Sequence, residues 1–299
     1  MTKGEHLRSE FMSLHDKLRI TLNDQAKALL NDLINAKPCE EGCREFANLG
    51  PPVVRRLKQA AAASNPIERR DISRALVACL AADVVGTISS RSVTAEVIER
   101  TKRWQPRLLD FLKGDDQGDY WFPNDLFLKD YRFVTGITVP CGAQVIDLSD
   151  GIGPKTALKL ATRHPTLLFR ALRKPWFQIH TESRYLEEFN FDGWASFYNT
   201  AVDLLKINPH IQGIVGTSWF YDPILEKVSP RLFYLQELPL QHGAILVKQG
   251  TTQFDIKSAT ATSSTRRKLY EEGNYMPRCH TLIWSREAMI AWSANRQAN

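Results

Sequence analysis

Hydrophobic positions in the first third of the chain recur at three- and four-residue steps. Leu14, Leu18, Leu22, Leu29, Leu30, Leu33 and Ile34 fall on one side of a 3.6-residue helix, so the pattern predicts one amphipathic helix over residues 5–35. Pro38 and Gly42 punctuate the chain after it. Pro51-Pro52 opens a second helix running through Ala63, and Asn65-Pro66 breaks it. Asp71 or Ser73 is positioned to cap a third helix carrying Leu76, Leu80 and Val84. Thr94 caps a fourth, with Val97, Ile98, Trp104, Leu108 and Leu109 along one side.

The texture changes at residues 114–125 (GDDQGDYWFPND), which are acidic, turn-rich and aromatic. β-Branched residues follow. Arg132–Val139 and Gln144–Leu148 read as the strands of a hairpin around Pro140-Cys141-Gly142. Beyond them strands and helices alternate. Trp176–Thr181, Ile211–Tyr221, Ala244–Lys248, Phe254–Ala259 and Cys279–Trp284 read as strands. Helices are predicted from Asp192 to Asn208, from Ser229-Pro230 to Pro239, from Ser264 to Glu272, and from Arg286 to Trp292. The pattern predicts an α+β protein: a helical region over 1–118, a hairpin with a connecting helix over 119–174, and a mixed α/β domain over 175–299.

Composition narrows the class. The chain has 299 residues, 43% of them hydrophobic and 24% charged, enough for a substantial core and typical of globular proteins. Its longest apolar stretch, Ala75–Val85, is interrupted by Asp83 and is too short to span a bilayer. The first residues lack the apolar core of a signal peptide, so a cytoplasmic protein without a membrane anchor is expected. Five scattered cysteines fit a reducing compartment. Cys39 and Cys43 form a C-x3-C pair with no second pair at ligand spacing, so no metal is expected. The whole net charge of +6 falls within residues 1–174, and residues 175–299 balance at 12 basic against 12 acidic. A basic first part suits an anionic partner such as tRNA or DNA, or serves solubility alone.

The segment Ser263–Pro277 reads SSTRRKLYEEGNYMP, a short helix between strands. It resembles the closing segment of the GNAT-type N-acetyltransferase superfamily: Leu269, Tyr270 and Glu271 match, and Tyr275 takes the aromatic position. Ser263 stands where that family has Asn, and Gly273 falls one place early. The resemblance covers about residues 175–290. It implies an acyltransferase moving an acyl or aminoacyl group from a thioester or ester to an amine, with the strand at 211–221, the helix at 229–238 and the strand at 254–259 around the donor cleft. Tyr270 is then the phenol that protonates the leaving group, or else the apolar side of a helix packed on the sheet. The family's donor turn is rich in glycine, because backbone N–H groups at a helix start face the pyrophosphate. Pro223–Ser229 has none. Lys227, Ser229 and Arg231 would replace it, and the donor is acyl-CoA, an acyl carrier protein or an aminoacyl-tRNA.

Two further sets of residues carry chemistry. His180, Glu182 and Glu187 follow the strand at 176–181. An imidazole or carboxylate at a strand end suits deprotonation of an acceptor amine, although Glu182, Glu187 and Glu188 with Arg184 also read as a solvated run. Gly151, Gly153, Lys155, Thr156 and Lys159, within DGIGPKTALKL, resemble the hairpin of the helix-hairpin-helix DNA-binding module. That resemblance implies phosphate contacts and a nucleic-acid-binding protein. The module needs a helix ahead of the hairpin, where Val145–Leu148 reads as a strand, and the same glycines also serve a plain strand-to-helix turn. The aromatic clusters at 120–122, 176–177 and 218–221 are candidates for a pocket or for the core. A third reading is a protein of this fold without catalysis.

Overall fold

The computed structural model describes residues 2–36, 49–114, 118–163, 165, 168, 172, 175–182, 184 and 186–298. The Cys39–Cys43 pair lies outside them. The chain is α+β and divides into two compact units, Met1–Cys141 with Val145–Ser149, and Gly142–Gln144 with Asp150–Asn299.

The first unit is helical. The predicted 5–35 helix is two, α1 (Lys3–Thr21) and α2 (Asp24–Ile34). Leu22 and Asn23 are extended, and the Asn23 carboxamide accepts the Ala26 N–H as an N-cap. Helix α3 (Pro51–Ala63) begins as expected. Helix α4 (Pro66–Ala81) starts earlier than Asp71 or Ser73, because Asn65-Pro66 is itself the start: Asn65 caps Ile67 and Glu68, and Glu68 closes a capping box. This helix is the axis of the unit. Ile72–Ala78 is buried without interruption, and the His15 ring of α1 meets the Ala75 carbonyl at 2.9 Å. Helices α5 (Val84–Ser89) and α6 (Ala95–Lys113) follow. Thr94 caps α6, and Arg74 donates twice to the Leu112 carbonyl at its end, at 2.9 and 2.6 Å.

The predicted strand at 132–139 begins as the end of a helix, Arg132–Val134, and turns before it becomes strand. Asn124 caps α7 (Asp125–Val134), whose buried Phe127, Leu128, Tyr131 and Val134 keep helical spacing. Gly136, at φ +68°, ends it. Only Thr138–Pro140 (β1) is strand, paired antiparallel to β2 (Val145–Asp150). Asp147 of β2 is buried. It accepts from Arg132, fully buried on α7, at 2.6 Å and from the Thr138 hydroxyl.

In the second unit four strands lie in the order β3 (Trp176–His180), β4 (Gly213–Ser218), β6 (His280–Ser285), β5 (Ile245–Lys248). Strands β3 and β4 are parallel, joined through the crossover helix α9 (Phe191–Ile207); β4–β6 and β6–β5 are antiparallel. One face carries Val215, Val247, Ile283 and Trp176 against Ile152, Ala157 and Leu160 of the α8 segment (α8 is Pro154–Arg163). On the other face Trp284 meets Tyr198 of α9 edge-on at 5.1 Å and Trp292 of α14 (Arg286–Ala298) at 5.4 Å. The aromatic candidates Trp176, Phe177, Tyr120 and Trp121 are buried core.

Two helices replace the strand predicted at 254–259. Thr252 and Asp255 form a capping box that starts α12 (Gln253–Ala261), and α13 (Ser264–Glu271) follows with Ser263 as its cap. Between β4 and β5 the chain makes a 3-10 turn (Trp219–Tyr221), the short α10 (Leu225–Val228), a second 3-10 turn (Pro230–Leu232) and α11 (Tyr234–Gln241). Helix α11 runs through Pro239 rather than stopping there.

The Arg132–Asp147 pair yields a prediction. Removing one partner leaves the other charge buried and unmatched. Asp147→Ala should lower unfolding free energy by about 3–5 kcal/mol in urea titration. A loss below about 1 kcal/mol would show that the pair is solvated in solution.

Candidate active site: the end of the β3–β4 ladder

Strand β4 is held unequally on its two edges. Against β6 it makes six pairs in register, from Gly213–Ser285 to Ser218–His280. Against β3 the parallel ladder has two, Phe177–Ile214 and Gln178–Val215. Both strands continue beyond that point, β3 to His180 and β4 to Ser218. Gly216 follows the last of these pairs. A Cβ there would stand 2.4 Å from the Ile179 Cγ1, so Ile179 leans into space that only glycine leaves open.

The crossover helix starts beside these strand ends. Asn190 caps α9 by accepting the Gly193 N–H at 2.9 Å, and Asp192 sits inside the first turn rather than at the cap. A Cβ on Gly193 would lie 2.0 Å from the Glu188 carbonyl, so the incoming loop crosses the helix start at backbone contact. Aromatic rings gather there. Phe189 meets Trp194 at 5.1 Å and Phe220 at 6.2 Å, and Tyr234 of α11 faces Phe191 and Trp194 at 6.3 and 6.4 Å. Burial raises the Tyr234 pKa, keeping its phenol protonated. A strand C-terminus feeding a crossover helix in a parallel pair is where open sheets place ligands, and a helix start suits an anion.

The residues predicted from sequence distribute around this point. His180 ends β3. Strand alternation puts its side chain on the α8 face, the face of Val215 and Thr217. Glu182 is buried and clamped by Arg184, whose Nη2 and Nε donate at 2.8 and 3.0 Å and whose backbone N–H donates at 3.0 Å. Glu187 is exposed. Lys227 and Arg231 are exposed, whereas Ser229 is buried and accepts from Arg266 Nη1 at 3.0 Å. Tyr270 is half-buried on α13, one turn after Arg266. The glycine-free turn at 223–229 follows β4, which runs antiparallel to its ladder neighbour β6; the turn that follows the parallel strand and opens the crossover helix is 181–190.

The Gly151–Lys159 segment is a strand-to-helix turn between β2 and α8, so the helix that a helix-hairpin-helix needs ahead of it is absent. Gly151 and Gly153 make the bend, Lys155 is exposed, and Lys159 donates to the Lys248 carbonyl at 2.7 Å and to Gln249 Oε1 at 3.0 Å. Thr156 accepts from Gln249 at 3.1 Å.

Sequence reasoning missed a polar cluster around Asp222. Its carboxylate accepts the N–H groups of Arg278 and Ile224 at 2.9 and 3.2 Å. Burial, with Asp222 adding, pushes the Tyr275 phenol up to about 12, and its hydroxyl is buried without a hydrogen bond. Burial and then Asp255 push the Cys279 thiol up, making it a poor nucleophile. Arg266 lies over the Trp219 ring at 4.8 Å. Arg278 lies 56 residues from Asp222 in sequence, so no local motif marks their pairing. Among the described residues no group of three potential ligands is placed to hold a metal, and no helix is long and apolar enough to cross a membrane.

No family model and no curated protein matches the chain. Two solved structures align over most of its length. One is an acyltransferase in complex with decanoyl-CoA, at 14% identity over 92% of this chain and 98% of that one, TM-score 0.42. The other is an acyltransferase in complex with CoA and 10C-teicoplanin, at 13% identity over 89% and 98%, TM-score 0.40. Likenesses this distant do not fix what this chain does.

His280 gives a prediction for pH. Burial holds its imidazole below the usual range, against an opposing pull from Asp222. The unfolded chain therefore takes up this proton first as pH falls below about 6.5, and stability is lost in that direction. His280→Asn should reduce the difference in urea midpoint between about pH 7.5 and about pH 5. An unchanged difference would mean that His280 is not desolvated.

Proposed function

We propose that the second unit is an acyltransferase that moves an acyl group from a thioester to an amine, with acyl-CoA as donor. The observation that carries this reading is the early end of the β3–β4 ladder, beside the start of α9. A donor cleft at the end of this ladder would seat an extended pantetheine-like arm beside the two strand ends. The start of α9, where Asn190 already takes the Gly193 N–H, would bring the positive end of the helix toward the donor's phosphates. Lys227 and Arg231 supply positive charge on the segment leading into α11, and Ser229 holds that segment through Arg266.

The chemistry needs a base for the amine and an acid for the departing thiolate. His180 is the base in this reading, because it ends β3 at this cleft. Glu182 is committed to Arg184 and serves to hold the 181–190 loop. Two phenols are candidates for the acid. Tyr234 touches the start of α9 and is kept protonated by burial. Tyr270 matches the N-acetyltransferase motif and follows Arg266 by one turn. We take Tyr234 as the acid because of its contact with the start of α9. An acyl carrier protein or aminoacyl-tRNA would present its ester to the same cleft, and competition against CoA separates these donors. No geometric feature favours the DNA-binding reading, since Lys159 and Thr156 are engaged within the unit.

Thiol release from acetyl-CoA in the presence of a panel of amines tests the proposal. Tyr234→Phe should lower kcat about a hundred-fold with little change in urea midpoint, and Tyr270→Phe should leave kcat within a few-fold. The reverse result would move the acid to Tyr270. Absence of saturable CoA binding to the full-length chain by calorimetry would refute the transferase reading.

A further inference from the structure

On the α8 face, just past the last β3–β4 pair, a chain of polar side chains runs across the sheet. Lys159 Nζ donates to Gln249 Oε1 at 3.0 Å. Gln249 Nε2 donates to Thr281 Oγ1 at 2.9 Å and to Thr156 Oγ1 at 3.1 Å. Thr281 and Thr217 share a hydrogen bond of 2.7 Å between their hydroxyls.

The charge on Lys159 sets the direction of every bond in this chain. An ammonium only donates, so the carboxamide must turn its oxygen to Lys159 and its NH₂ to the two threonines. Both threonine oxygens therefore accept, and both hydroxyl hydrogens point away from Gln249. Thr281 is buried and bonded to Thr217, so with its oxygen accepting from Gln249 its hydrogen is assigned to Thr217. Thr217 is exposed and Thr156 half-buried; with its oxygen accepting within this chain, each has its hydrogen left for a partner outside it. Lys155, exposed beside Thr156, adds positive charge.

We propose that Thr217 and Thr156 form an oxyanion-binding site, with Gln249 and Lys159 as the residues that fix its polarity. Two outward hydroxyl donors beside a lysine fit a carboxylate. Thr217 shares its sheet face with His180, so on the transferase reading the carboxylate belongs to the acceptor, whose amine then lies toward His180. That assignment rests on the transferase reading; anion binding does not.

The test uses full-length protein with ¹³C-methyl-labelled threonine, titrated with acetate, inorganic phosphate and methylammonium. The methyl resonances of Thr217 and Thr156 should shift saturably with acetate and not with methylammonium. Tighter response to phosphate than to acetate would keep the oxyanion site and assign it to a phosphate-bearing ligand. Gln249→Glu keeps an acceptor for Lys159 but takes donors from both threonines, so it reverses the chain and turns the Thr217 lone pairs outward. It should weaken acetate binding about ten-fold or more, the effect of losing a hydrogen bond to a charged group, with an unchanged urea midpoint. Thr217→Ser should retain binding and Thr217→Val should lose it, read on the Thr156 methyl. Equal shifts with methylammonium, no shift at either threonine, or full acetate binding in Gln249→Glu would overturn the site. Acetate binding without CoA binding would overturn the transferase reading alone.

Discussion

The organisation of the second unit depends on the unequal edges of β4. Six antiparallel pairs fasten it to β6, while two parallel pairs hold it to β3. Parallel ladders are slightly weaker per residue, and this one ends where Ile179 leans over Gly216. A larger residue at 216 would collide with that side chain. His180 ends β3, Thr217 stands next to the end of β4, and α9 begins in the connection between the two strands.

The two faces of β4 divide the work. On the α9 side, burial is aromatic and dry, with Trp194, Tyr198, Trp284 and Trp292 in edge contacts that fix the crossover helix against the sheet. On the α8 side, the apolar layer of Val215, Val247 and Ile283 gives way within one pleat to Thr217, Thr281 and Gln249. The members of this polar layer are hydrogen-bonded to one another, and Lys159, which can only donate, stands at one end of the chain. A rigid sheet carrying polar groups at an opening is how a fold keeps reacting partners in fixed geometry.

Much of the fold was legible from the chain. Helices α3, α6 and α13 and strands β3, β5 and β6 follow from hydrophobic period and from Thr94 and the Ser263–Ser264 region. The failures share a cause. Val134, Thr135 and Ile137 are β-branched, and their preference outweighed the helical spacing of Phe127 and Tyr131 and the Asn124 cap. At Phe254–Ala259 the T-x-x-D box at Thr252 marked a helix whose weak apolar face concealed it, since only Ala259 in it is buried. Asn23 and Asn65 are the same kind of signal, local caps overlooked beside longer patterns. The site was harder still. His180 is legible as a strand end, whereas the pairing of β3 with β4 as parallel neighbours is set by register, which no local sequence shows. The Asp222 cluster and the Gln249 chain join residues far apart in sequence, and only packing brings them together.

Hydrogen–deuterium exchange of the full-length protein, with and without acetyl-CoA, tests the central claim that the end of the β3–β4 ladder admits the donor. Slowed exchange concentrated in residues 176–190 and 213–221 is the expected result, because a ligand seated at the end of the ladder would shield the backbone there. Protection that appears only elsewhere, or no change in these segments at saturating acetyl-CoA, would contradict it.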